Sequence, residues 1–198
     1  MVALISGNIL IARRFLDHVL PERGWKCATL FYGQTVVNRF FATIEELVQF
    51  ISFEDGRGHT VFHACATYRE PTRRRQTNVQ ALQSLFLDVD AGEDAVNKRT
   101  GYADARAGIF AVADFCRSAG LPRPTFVGSG TGLHVYWPLE QPLTLDEWRP
   151  YANGLKRKTV ELGLCCDPAR TCDAASILRT PGTHNRKNTP VEVTCDIP

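Results

Sequence analysis

The stretch Leu85-Phe86-Leu87-Asp88-Val89-Asp90-Ala91-Gly92 constrains this chain more than any other. It is apolar enough for a buried strand, yet two carboxylates interrupt it two positions apart. Side chains at i and i+2 of a strand share a face, so Asp88 and Asp90 stand side by side. Two like charges at the end of an apolar strand are costly unless something compensates them. One or two divalent cations, held by hard carboxylate oxygens and completed by a substrate phosphate, would do so. Two ions about 3.5–4 Å apart are the arrangement of metal-assisted phosphoryl transfer. A plainer reading also fits: the acids close the strand and cap the next loop, with Gly92 turning the chain.

At 198 residues and 44% hydrophobic content, the chain can bury a core as one domain or as two small modules sharing an interface. A net charge of +2 gives no global basic field, so any nucleic-acid contact must come from a local patch. The seven cysteines (Cys27, Cys65, Cys116, Cys165, Cys166, Cys172 and Cys195) form no Cys-x-x-Cys pair. An odd count on irregular spacing reads as reduced thiols in a cytosolic protein. Cys165, Cys166 and Cys172 with His184 are a zinc candidate, although their spacing fits no usual pattern. No apolar run reaches membrane-spanning length and no signal peptide opens the chain, so an intracellular protein is expected.

Apolar residues Ile11, Phe15, Val19 and Leu20 against Arg13, Arg14 and Asp17 predict a one-faced helix over 9–20. Residues 25–37 read as a strand pair turning at Tyr32-Gly33-Gln34. Thr43 and Glu46 form a capping box that opens a helix over 44–51. A single strand is expected over 60–68, then a polar loop over 69–78 that contains Arg73-Arg74-Arg75. The three arginines suit a template strand or a triphosphate, or simply a solvated loop. The Asp88 strand, a polar loop and a helix over 102–119 follow, the helix stopped by Gly120 and Pro122. Residues 125–129 and 133–137 are strand-like and joined by Gly130-Thr131-Gly132. His134 and Tyr136 share one face of the second run; Leu133, Val135 and Trp137 share the other. Such a Gly/Ser turn with a histidine on the emerging strand suits a phosphate cradle. Thr144 and Glu147 cap a helix over 145–162, where Lys156, Arg157 and Lys158 read as a solvated face. Arg179 to Lys187 gathers basic residues around a Pro-Gly turn, and 191–193 looks like a closing strand.

Three blocks thus stand in order: Leu87-Asp88-Val89-Asp90; Ser129-Gly130-Thr131-Gly132-Leu133-His134-Val135-Tyr136-Trp137; and Asp173 followed by Leu178-Arg179-Thr180-Pro181-Gly182-Thr183-His184-Asn185. Together, over about residues 80–190, they resemble the archaeo-eukaryotic primase (AEP) superfamily. The likeness is specifically to primase-polymerase domains of plasmid and phage replication proteins. The resemblance implies an α/β (α+β) fold, with an N-terminal α/β module over 1–78 and a modified RRM-like catalytic module over 79–198. It implies Asp88, Asp90 and Asp173 as ligands of two Mg²⁺ or Mn²⁺ ions, with Asp167 a competing third acid ranked lower for its distance from Leu178-Arg179. It implies that Ser129, the Gly130 and Gly132 backbone, His134, Arg179 and Lys187 attend the triphosphate, and that Asn185 orients its loop.

The implied activity is template-directed addition of nucleoside triphosphates to a primer 3′-hydroxyl on single-stranded or primed DNA, with no membrane partner, in a bacterial, phage or plasmid context. Extension is expected to exceed initiation, since no helical priming subdomain is visible. A helicase domain is expected beyond Pro198. One rival is a rolling-circle endonuclease, which needs two histidines flanking an apolar residue; His134-Val135-Tyr136 offers one. A second is a non-catalytic nucleic-acid-binding module, which gains nothing from acids facing a polyanion.

Overall fold

The computed structural model describes residues 7–196. In chain order the elements are α1 (Gly7–Val19), β1 (Lys26–Tyr32), β2 (Thr35–Phe41), α2 (Ile44–Gly56), β3 (Val61–Ala64), β4 (Thr67–Tyr68), β5 (Val79–Ala91), α3 (Glu93–Asn97), β6 (Gly101–Tyr102), α4 (Ala105–Ala119), β7 (Thr125–Gly128), β8 (Leu133–Leu143), α5 (Leu145–Glu161), α6 (Pro168–Cys172), β9 (Ile177–Arg179), β10 (His184–Asn185), β11 (Val191–Glu192) and β12 (Thr194–Asp196). The expected α+β class is what forms. Among the described residues no helix is long and apolar enough to cross a membrane.

Two sheets carry the molecule. The first runs β2-β1-β3-β9, and the second β12-β7-β8-β5-β4 with β6 paired on β5. The expected single strand over 60–68 is in fact two. The chain leaves the first sheet at Ala64 and joins the second at Thr67, where Tyr68 pairs with Val79 of β5. Cys65 and Ala66, both buried, make the crossing, and the Cys65 amide donates to the Ser176 carbonyl instead of to a ladder partner. The expected boundary at 78/79 falls just before β5. The first sheet nevertheless takes its last strand, β9, from residues 177–179, paired on β3.

β5 is apolar in sequence because it is covered on both sides. Leu87 and Val89 pack with Leu133, Val135 and Trp137 of β8 against Val112, Phe115 and Cys116 of α4. Phe86 and Tyr136 point the other way, into the core that includes Phe15 of α1 and Leu30 of β1. Burying each such side chain contributes about 1.5–3 kcal/mol. Asp88 and His134 lie on this second face, opposite each other in the β5–β8 register.

Both capping boxes form, Thr43 with Glu46 and Thr144 with Glu147. The second helix runs five residues past the expected end, to Gly56. The polar stretch after Gly92 holds α3 and β6, and α4 begins only after Asp104, whose carboxylate caps it through the Ala107 amide. The expected closing strand over 191–193 is short, β11 paired with β10, and a further strand, β12, follows it and pairs with β7.

Candidate active site

The end of β5 carries the acid pair. The Asp88 side chain is 26% exposed, and Asp90 is open to solvent. Burial first, then the neighbouring Asp90 charge, push the Asp88 carboxyl up to about 6, against the opposing pull of Arg170 and Arg179. His134 Nε2 lies 3.9 Å from Asp88 Oδ1, and the imidazole is 2% exposed. Burial, then the Arg179, His63 and Arg170 charges, hold His134 well below its usual range, so the ring is neutral at physiological pH. Its Nδ1 is enclosed with no partner of hydrogen-bonding geometry, although the Arg179 main chain still raises its proton affinity somewhat. Arg179 Nε is likewise enclosed and unpartnered, and its guanidinium lies 5.1 Å from the centre of the Phe62 ring.

The two aspartates expected as candidates for a third acid are placed differently. The Asp167 amide donates to the Asp88 carbonyl at 2.8 Å, which seats Asp167 against the acid strand. Its carboxylate caps α6 through the Ala169 and Arg170 amides and remains partly exposed. Asp173, ranked first on spacing, turns its carboxylate to Gln76 Nε2 and to the Ala175 amide, each at 2.9 Å. Sequence reasoning missed α6, whose single turn lies between the two candidates, capped by Asp167 and ended at Asp173.

Among the described residues no three histidines, cysteines or acids converge as they stand on one ion. This overturns the zinc candidate. His184 is engaged by Asp55, Cys172 Sγ points to the Ala152 carbonyl, and all seven cysteines are free. The Asp88–Asp90 pair is a different matter: two adjacent hard-oxygen donors, one already resisting ionisation, fit a divalent cation that relieves their repulsion.

The glycine turn is organised internally. Ser129 N–H donates to the Gly132 carbonyl, and the Gly132 amide donates back to Ser129 Oγ at 3.2 Å. Gly130 sits at φ 94°, and a Cβ there would meet Asn185 at 2.9 Å. A Cβ on Gly132 would stand 2.3 Å from the Val89 carbonyl, so only glycine lets the turn approach the acid strand. Asn185, buried, donates to the Ser129 carbonyl at 2.7 Å and accepts from the Lys187 amide at 3.0 Å. It therefore ties the basic loop to the turn. Lys187 is exposed and, with Asp90, Lys98 and Thr131, lines a cleft of about 390 Å³ beside the acids.

The arginine trio divides. Arg74 turns inward to the Ala175 carbonyl and to Asn38 Oδ1, whereas Arg73 and Arg75 are exposed. Arg157 and Lys158 are exposed and Lys158 pairs with Glu161, as a solvated face requires. Two buried networks escaped the sequence reading because their members lie far apart in the chain. Tyr136 Oη meets His63 Nε2 at 3.4 Å, and His63 Nδ1 meets Thr180 Oγ1 at 3.1 Å. Asp55, at the end of α2, binds the His184 amide and ring and the Arg186 guanidinium.

No family model matches the chain, and no curated protein matches it significantly. Solved structures do match. The AEP domain of the cyanophage S-2L primase-polymerase aligns with a TM-score of 0.65 and 13% identity, over 96% of this chain and 88% of that one. Primase RepB′ aligns with a TM-score of 0.56 and 13% identity, over 96% of this chain and 56% of that one. The polymerase domain of Mycobacterium tuberculosis Ligase D, solved with DNA, aligns with a TM-score of 0.53 and 12% identity, over 96% of this chain and 78% of that one. A second RepB′ structure, its catalytic domain with initiator DNA, aligns at 0.56 and 14% identity, over 95% and 83%. With the acids at the end of β5 and the glycine turn beside them, this chain has the fold of the archaeo-eukaryotic primase-polymerase domains.

Proposed function

We propose that the chain is a template-directed nucleotidyltransferase, a primase-polymerase domain that adds nucleotides to a primer 3′-hydroxyl. The observation that carries this reading is the acid pair: Asp88 and Asp90 adjacent on one face, with Asp88 pushed up to about 6. Two adjacent carboxylates at a strand end, with Asp88 short of donors, suit a divalent cation completed by a substrate phosphate. Asp88 and Asp90 would hold Mg²⁺ or Mn²⁺, and Asp167 takes the third place in preference to Asp173, given its main-chain bond to Asp88. When bound, the ions supply Lewis-acid polarisation of the primer hydroxyl and the triphosphate.

The remaining roles belong to the chain's own groups. Neutral His134 turns Nε2 toward Asp88, 3.9 Å from Oδ1, where it could meet a phosphate oxygen held at the acids. Arg179, partly desolvated, offers a guanidinium to charge developing on the departing pyrophosphate. Ser129 and the Gly130–Gly132 backbone shape the wall behind the triphosphate, Asn185 holds that wall, and Lys187 waits at its open edge. The two neighbours solved with DNA support a nucleic-acid partner for this chain. A replication role in a phage, plasmid or mobile element, and a helicase domain in the full-length protein, belong to the same proposal.

The test is extension of a labelled primer on a template with Mg²⁺ or Mn²⁺, in separate dNTP and NTP pools. The Asp88→Ala/Asp90→Ala variant is run beside wild type. Metal-dependent addition lost in the variant is expected, and the pools report the sugar preference. Template binding without any addition would overturn the catalytic reading and leave a binding module.

A further inference from the structure

The loop between β4 and β5 is built as a rigid platform. Asn78 Nδ2 donates to the Glu70 and Arg73 carbonyls at 2.8 Å each, and Asn78 Oδ1 accepts from the Glu70 amide. Main-chain bonds from the Arg69 amide to the Asn78 carbonyl and from the Asn78 amide to the Arg75 carbonyl close it. Arg74 and Gln76 anchor it from beneath to the 173–175 turn, through the Ala175 carbonyl and the Asp173 carboxylate. What remains outward is Arg69, Arg73 and Arg75, all exposed, around a concavity of about 370 Å³ that Thr72 and Thr77 also line. Among the described residues none of these three guanidiniums pairs with a carboxylate. Glu70 shares the concavity, leaving three positive charges against one negative.

We propose that Arg69, Arg73 and Arg75 form a phosphate grip for the backbone of a single-stranded template, separate from the site that holds the triphosphate. The proposal rests on the nucleic-acid-directed function above. A preorganised loop loses little entropy on binding, and guanidiniums suit phosphate oxygens. Position favours a strand over a lone nucleotide. The loop precedes β5 and the acid pair ends it, so up to about 33 Å of strand separates Asn78 from Asp88. That span suits a run of several nucleotides. The open concavity carries no acid pair that could share a cation with a triphosphate.

The test is anisotropy of a labelled single-stranded oligodeoxynucleotide at several salt concentrations, with full-length wild type and the Arg69→Ala/Arg73→Ala/Arg75→Ala variant. The variant should bind ~10-fold or more weakly, and its plot of log affinity against log salt should be shallower by about 2, since each single-strand phosphate contact contributes about 0.7. The corresponding triple Lys variant should recover most of the slope, which damage to the fold would not allow. Binding of Mn²⁺-ATP should be unchanged. An unchanged DNA slope, or wild type that binds no DNA, overturns the grip. So does loss of ATP binding with DNA binding intact, which would make this a triphosphate site. A wild type that adds no nucleotide but shows the slope change would sink the catalytic reading and keep the grip.

Discussion

Asp55 and Asp88 are both withdrawn from water, with side chains 9% and 26% exposed, and the fold treats them in opposite ways. Burial pushes the Asp55 carboxyl up, but Arg186 and His184 hydrogen bonds more than offset it, and the group ends below its usual range. Asp88 receives no such set of donors. Burial and Asp90 raise it to about 6, with Arg170 and Arg179 too weakly placed to reverse the shift. The acid that ties two loops together is supplied with donors, whereas the one at the end of β5, which we propose as a cation ligand, is left short of them.

The largest break in that comparison is functional. Asp88→Asn should lower primer extension by roughly a thousand-fold or more, the several kcal/mol that ion-held charge supplies. In urea unfolding the same variant should match or exceed wild type, because a charge held at about 6 costs the fold up to about 3 kcal/mol at neutral pH. Asp55→Ala should do the reverse to stability, losing about 3 kcal/mol as Arg186 and His184 lose their shared carboxylate. A variant at Asp55 as stable as wild type would dissolve the contrast.

The two acids also impose opposite pH slopes. Below its unfolded value of about 4, Asp55 takes up a proton less readily folded than unfolded, so its contribution is present above that pH and lost as pH falls through its lower folded value. Between about 4 and 6 folded Asp88 keeps a proton that the unfolded chain has released, so its contribution falls as pH rises through that window. Carboxyl NMR should find Asp88 titrating near 6 in wild type and moving toward the ordinary carboxylate range in Asp90→Asn. An unmoved Asp88 would mean that burial alone sets the value.

A smaller effect is expected where the turn meets the basic loop. Asn185→Ala removes the bonds to Ser129 and Lys187 and should cost about 1–3 kcal/mol of stability, with weaker nucleotide binding measured by titration. Asp167→Asn and Asp173→Asn compared side by side sharpen the choice of third acid. Extension should fall more for Asp167, and equal losses would remove the distinction drawn from the main-chain bond.

Local pattern determined much of this molecule. Period-two alternation put His134 and Tyr136 on one face and Leu133, Val135 and Trp137 on the other. Capping boxes opened α2 and α5, and the i, i+2 spacing paired Asp88 with Asp90, because those relations need only neighbouring residues. Tertiary structure decided what depends on distant ones. The strand over 60–68 divides because its halves serve different sheets, and β9 returns from residue 177 to complete the first. Asp167 reaches Asp88 through a main-chain bond across 79 positions that no spacing rule encodes. Arg74 left its neighbours because the Ala175 carbonyl and Asn38 stood beneath it. Side-chain charge and periodicity are written along the chain, whereas which donor meets which acceptor is set only when the two sheets close on each other.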